Sequence, residues 1–113
     1  MTPLHGYASD APSREAIDAL GGSVLLEFGA DWCGHCRASA PLVAQALAAH
    51  PAVKHLKVED GSGRALGRSF KVKLWPTLIF LSSGQEVARL VRPTDPGALA
   101  QALAALDPDD PAR

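Results

Sequence analysis

The sequence lacks most of what would point to a charged or membrane-bound partner. Eleven Lys and Arg stand against 12 Asp and Glu, for a formal net charge of −1. No stretch collects charges of one sign, so neither a nucleic acid nor a membrane is expected as a partner. Long hydrophobic runs are missing too. Val24-Leu25-Leu26 and Leu78-Ile79-Phe80-Leu81 fall far short of the ~20 residues that span a bilayer. The opening Met1-Thr2-Pro3-Leu4-His5-Gly6-Tyr7 has no cationic segment followed by an apolar one, as a secretory signal would. A cytoplasmic protein is the expectation; a periplasmic chain whose signal had been removed would read the same. Cysteine is scarce, with two in 113 residues. They lie three positions apart rather than scattered as in a disulfide framework, and so read as one local site. Neither an internal repeat nor a second domain is visible.

What is present suits one soluble globular domain: 47% hydrophobic residues, 20% charged, and enough length to bury a single core. That core is expected over about residues 4 to 106, with 107–113 as a frayed tail. A short edge strand is expected near Leu4 to Tyr7. Ser13 is placed to cap a helix carrying Ile17 and Leu20, which Gly21-Gly22 ends. Ser23 to Gly29 reads as a strand, and its near-continuous apolar run suits a strand covered on both faces. Only Glu27 interrupts the run. A long Ala- and Leu-rich helix follows from about Gly34 to His50, with Pro41 inside it. Val53 to Glu59 reads as a strand, Asp60 to Gly63 as a turn, and Arg64 to Phe70 as a short helix. Leu78 to Leu81 and Glu86 to Val91 form a hairpin around Ser82-Ser83-Gly84-Gln85. Thr94 or Asp95 caps a final helix bearing Leu99, Leu103 and Leu106. The order, βαβα followed by ββα, implies an α/β domain with a central mixed sheet.

The chemistry concentrates at Cys33-Gly34-His35-Cys36, between a strand and a helix. Cys33 falls at the helix N-terminus, where unpaired N–H groups and the helix dipole favour an anion. Such placement lowers a thiol pKa from ~8.5 into the range ~3.5–7.5. The two-residue spacer returns Cys36 to Cys33 within one turn. Cys33 is thereby the exposed nucleophile and Cys36 the buried resolving thiol. His35 can be cationic near neutral pH, and a positive neighbour favours the thiolate and makes the disulfide more oxidising. By strand alternation Glu27 points inward beneath the motif. Burial raises a carboxyl pKa, which suits Glu27 to take or deliver the Cys36 proton.

Other readings compete. A Cys-x-x-Cys can be half of a zinc site, but His5, His50 and His55 supply no second ligand pair of suitable spacing. An exposed strand face for Glu27 is the competing reading, and the otherwise apolar strand argues against it. No metal and no cofactor beyond a redox-active Cys33–Cys36 disulfide is expected.

Leu26-Glu27-Phe28-Gly29-Ala30-Asp31-Trp32-Cys33-Gly34-His35-Cys36-Arg37 resembles the active-site segment of the thioredoxin superfamily, and its Cys-Gly-His-Cys form resembles that of protein disulfide isomerases. Pro41, Trp75-Pro76-Thr77 and Gly84 resemble the family's kink proline, cis-proline loop and hairpin glycine. The resemblance runs from about residue 4 to 106 and implies the thioredoxin fold, with helices on both faces of the sheet. It also implies a cis Trp75–Pro76 bond beside Cys33, in a loop that pairs with extended substrate and keeps metal from the thiols. Trp32, Gly34, Trp75 and Pro76 become the expected substrate-binding residues. Trp75 is bulkier than the family's usual residue there, and either offers an aromatic platform or fills a groove. Val91-Arg92-Pro93 replaces a family glycine; Arg92 either approaches the buried acid or stays solvated. His55 falls near a family lysine that partners that acid.

The function expected is thiol–disulfide exchange with protein substrates through a mixed disulfide on Cys33, by a monomer fed by a thioredoxin-reductase-like or other thiol donor. The alternative is a thioredoxin-fold binding or chaperone-like module without turnover. Direction stays open. His35 argues for a less reducing poise, near ~−180 mV, and a cytosolic setting for reduction, near ~−270 mV.

Overall fold

The computed structural model describes residues 6–106. Ser13 Oγ accepts the Ala16 N–H at 3.0 Å and opens the short helix α1 (Arg14–Asp18). The helix ends before Leu20, which packs, partly buried, on the core. Strand β1 (Ser23–Gly29) follows, and six of its seven residues are buried, as its apolar run requires. Helix α2 (Gly34–Ala48) contains Pro41. Strand β2 (Lys54–Glu59), helix α3 (Ala65–Ser69), strands β3 (Thr77–Ser82) and β4 (Gln85–Val91), and helix α4 (Pro96–Leu106) complete the described chain.

The strands lie in the order β2-β1-β3-β4. β1 and β2 are parallel, and the other two pairs antiparallel. A parallel pair needs a long crossover, which α2 supplies. The β3–β4 hairpin turns at Ser83 and Gly84, with φ of 49° and 80°, the left-handed pair that a two-residue hairpin favours. A Cβ at Gly84 would stand 2.0 Å from the Asp18 carbonyl oxygen, so glycine lets the turn tuck against the end of α1. Asp95 Oδ1 accepts the Gly97 N–H at 2.9 Å at the start of α4.

Alternation along the strands sends side chains to two cores. Val24, Leu26 and Phe28 join Ile79 and Leu81 beneath Ile17 of α1, Leu66 of α3 and Phe70 at its end. Leu25, Leu78 and Phe80 pack on the other face against Val43 of α2 and Leu99, Leu103 and Leu106 of α4. Helices therefore cover both faces of a mixed sheet.

Of the edge strand expected near Leu4 to Tyr7, residues 4 and 5 lie outside the described residues, as does the tail 107–113. The pairing that is described comes one residue later. Ala8 forms a single parallel bridge to Val58, donating to the Lys57 carbonyl at 3.0 Å and accepting from the Glu59 N–H at 2.9 Å. Tyr7 is thereby held against the free edge of β2. No described helix is long and apolar enough to cross a membrane.

Candidate active site

β1 delivers the chain to Gly29, a turn closes with Cys33 N–H donating to the Ala30 carbonyl at 3.1 Å, and α2 begins. Cys33 is the N-cap of α2, and its Sγ accepts the Cys36 N–H at 3.2 Å. The sulfur thus takes the place of a capping oxygen, at the helix end whose dipole favours negative charge. Both cysteines are free thiols. Cys33 is less exposed than the sequence suggests, at 7% against 2% for Cys36. The reason is packing, since Tyr7, Ala30, Cys33 and Cys36 form one buried cluster with Trp75 against it.

Burial pushes the Cys36 thiol up to about 11; its hydrogen bond with Cys33 adds to this, while the Ala30 backbone and the Tyr7 hydroxyl pull it back. At neutral pH Cys36 therefore carries its proton and needs a base before it can attack.

Glu27 stands below, 2% exposed, on the face of β1 that looks toward α2. Its Oε2 accepts from the Tyr7 hydroxyl, and its Oε1 lies 2.8 Å from His55 Nε2. Burial, and then the Glu27 carboxylate, raise the Tyr7 pKa, so the phenol stays protonated. The His55 side chain is 23% exposed. It faces a cavity of about 740 Å³ between α2 and β2, lined also by Glu27, Arg37, Pro41, Val43 and Leu47.

Gly29 carries no side chain for a steric reason. A Cβ there would lie 2.7 Å from each of three atoms, Cys36 Sγ, Tyr7 Cζ and Tyr7 Oη. No real side chain fits that gap.

The upper rim is aromatic. Trp32 is 71% exposed and meets Trp75 edge-on, with centroids 5.5 Å apart and planes at 76°. The Trp75–Pro76 peptide is cis. Trp75 is fastened rather than free. Its indole N–H donates to Asp60 Oδ2 at 2.9 Å, and its carbonyl accepts from Arg92 Nε at 2.9 Å, so the ring fills the groove wall while staying partly exposed. Arg92 is thus committed to Trp75, and its φ of 50° lies in the left-handed region where the family carries glycine. Gly34 and His35 are exposed in the first turn of α2. A Cβ on Gly34 would meet nothing within 4 Å, so the first turn of α2 faces open space at that position.

The structure packs Cys33 and Cys36 with Trp75 and sets Trp32 against that ring; Glu27 joins them through Tyr7, Gly34 and His35 stand in the first turn of α2, and Pro76 follows Trp75 across the cis bond. The sequence reading missed three residues. Tyr7 reaches Glu27 from the N-terminal segment, Asp31 accepts the Tyr7 N–H at 3.0 Å, and Asp60 holds the Trp75 indole. Asp31 lies inside the active-site segment, whereas Tyr7 and Asp60 share no helical or strand spacing with it. The one available signal was that Tyr7 is the only tyrosine in the chain and sits in an apparent edge segment. Among the described residues no group of three or more His, Cys, Asp or Glu is placed to hold a metal; His5 lies outside them.

Fold and site define a class, the thioredoxin-fold proteins with a dithiol at the start of the first crossover helix. Residues 8–105 match the family model described as Thioredoxin. Thioredoxin-1 of Saccharomyces cerevisiae is 33% identical over 98 residues, covering 87% of this chain and 91% of the yeast protein. A Thioredoxin H-type of Fagopyrum esculentum is 34% identical over 68 residues; that match spans 60% of this chain and 59% of the plant protein's length. The reduced form of thioredoxin 2 from Pseudomonas aeruginosa PAO1 superposes with a TM-score of 0.83 at 54% identity, covering 92% of this chain and 96% of that one. The chain belongs to the thioredoxin family.

Proposed function

We propose that the protein is a thiol–disulfide oxidoreductase that reduces disulfides of protein substrates. Cys33 attacks a substrate sulfur and forms a mixed disulfide; Cys36 then attacks Cys33, releasing the substrate thiol and leaving a Cys33–Cys36 disulfide. One observation carries this reading: the Cys33 sulfur caps α2 at 3.2 Å from the Cys36 N–H, with the second thiol buried one turn along. Glu27 serves as the base that takes the Cys36 proton, and His35 makes the couple more oxidising. Trp32, Gly34, Trp75 and Pro76 form the surface on which an extended substrate segment lies. The exposed Trp32 ring and the open space above Gly34 support that assignment. The dithiol is the only redox group required, so no metal or organic cofactor takes part, and a thioredoxin-reductase-like or other thiol donor regenerates it. We place the reaction in the cytoplasm, running toward substrate reduction, and carried out by a monomer.

Insulin reduction, followed by the precipitation of the freed chains, tests the reading. The wild type should accelerate precipitation and Cys33→Ser should not. Equal rates for the two proteins would leave a binding module without turnover.

A further inference from the structure

Glu27 is the buried carboxylate on the dithiol side of β1, and both of its oxygens are engaged, Oε1 by His55 and Oε2 by the Tyr7 hydroxyl. The group that touches Cys36 is the tyrosine. Cys36 Sγ and Tyr7 Oη stand equally close, at 2.7 Å, to the point where a Gly29 Cβ would lie, and the two side chains pack in one buried cluster. Thiol, phenol, carboxylate and imidazole therefore form one chain of contacts from the buried sulfur to a partly exposed ring.

We propose that Tyr7 is a catalytic residue of the resolving step, passing the Cys36 proton to Glu27. The inference rests on the oxidoreductase reading above. As the Cys36 S–H bond breaks, its proton goes to the Tyr7 oxygen while the Tyr7 proton goes to Glu27 Oε2. The Cys36 sulfur then bonds to the Cys33 sulfur, the Cys33–substrate S–S bond breaks, and its electron pair leaves with the substrate as a thiolate. The dithiol is oxidised by two electrons and the substrate disulfide reduced by two. Tyr7 is neutral before and after, and the proton rests on Glu27. From there His55, 2.8 Å away and 23% exposed beside the open cavity, returns it to water.

The segment is built to hold the phenol in place. Its N–H is bonded to Asp31, the Lys57 ammonium lies 4.3 Å from the ring centroid, and Gly29 leaves room for the hydroxyl. The ionisable groups facing the hydroxyl are Glu27 from β1, His55 and Lys57 from β2, and Cys33 and Cys36 from α2, with Asp31 in the preceding loop and Arg37 on the cavity wall.

Single-turnover reaction of the reduced protein with a symmetric chromogenic aryl disulfide reads the two steps separately. Attack by Cys33 releases one aryl thiolate, and resolution by Cys36 the second. Tyr7→Phe keeps the ring and its packing. It should leave the first release unchanged and slow the second about tenfold or more at neutral pH, with the deficit shrinking as alkali ionises Cys36 directly. Because Tyr7 is the only tyrosine, biosynthetic ring-fluorinated tyrosine alters this phenol alone. The more acidic phenol should change the second release and not the first, which keeps the test available if Tyr7→Phe does not fold. A second release insensitive to both replacements, or an equal slowing of both releases, would overturn the role of Tyr7 while leaving the oxidoreductase reading intact. A wild type that releases no thiolate would overturn both.

Discussion

The two faces of the sheet are built from the same strand and do different work. Along β1, Val24, Leu26 and Phe28 enter a core that is apolar throughout, where Phe28 meets Phe70 at 5.8 Å between ring centroids. The alternate positions Leu25, Glu27 and Gly29 look toward α2. There the packing starts apolar at Leu25 and ends in a carboxylate, a phenol, an imidazole and two thiols. The period of two that makes β1 a strand thus divides it into a face that stabilises the fold and a face whose far end does chemistry. Every polar side-chain atom buried among the described residues has a hydrogen-bond partner. The polar end is therefore a completed network rather than a defect in the core.

The comparison breaks most visibly at Phe28. Phe28→Ala removes a fully buried ring from the apolar face and should cost about 3–5 kcal/mol in denaturant unfolding. The reduction potential of the dithiol should not move with it. A potential that shifts together with stability would mean that the two faces are not separable.

Glu27→Gln, one residue away, should do the reverse. The amide can accept from Tyr7 through its oxygen and donate to His55 Nε2 through its nitrogen, so the unfolding midpoint should change little. Resolution of the mixed disulfide should slow about tenfold, equivalent to ~1.4 kcal/mol of barrier, and the first attack by Cys33 should not. Equal slowing of both steps would make Glu27 a packing residue.

A third effect is alkaline. The native state holds the Cys36 proton more tightly than the unfolded chain, with the thiol at about 11 against an ordinary 9.0. That contribution is complete below pH 9.0 and is lost as pH rises from there through about 11. The reduced wild type should lose stability over that interval more steeply than Cys36→Ala in parallel denaturant melts. Matching slopes would show that the thiol is not held in its neutral form.

The apolar face was legible in the sequence because it is periodic. The strand at 23–29, the hairpin at Gly84 and the leucines of α4 announce themselves by spacing and turn chemistry. Cys33, Cys36 and Glu27 were legible because the chemistry is local, a dithiol one helical turn apart with a carboxylate out of place on the strand before it. The remainder of the site is assembled from contacts between distant parts of the chain. Tyr7 reaches Glu27 across 20 residues and Asp31 across 24, and Arg92 reaches the Trp75 carbonyl across 17. Such pairs follow from which strand lies beside which, so no window of sequence displays them. The burial of Cys33 has the same origin, because the residues that cover it come from the N-terminal segment and the cis-proline loop.

The most direct test of the account is to trap the covalent intermediate. Cys36→Ser, reduced and mixed with a protein disulfide, should accumulate a stable one-to-one adduct that mass spectrometry of the digest places on Cys33. Cys33→Ser, treated in parallel, should yield none, because Cys36 is buried and keeps its proton. An adduct of similar yield on Cys36 in the second variant would contradict the division of labour between the two thiols.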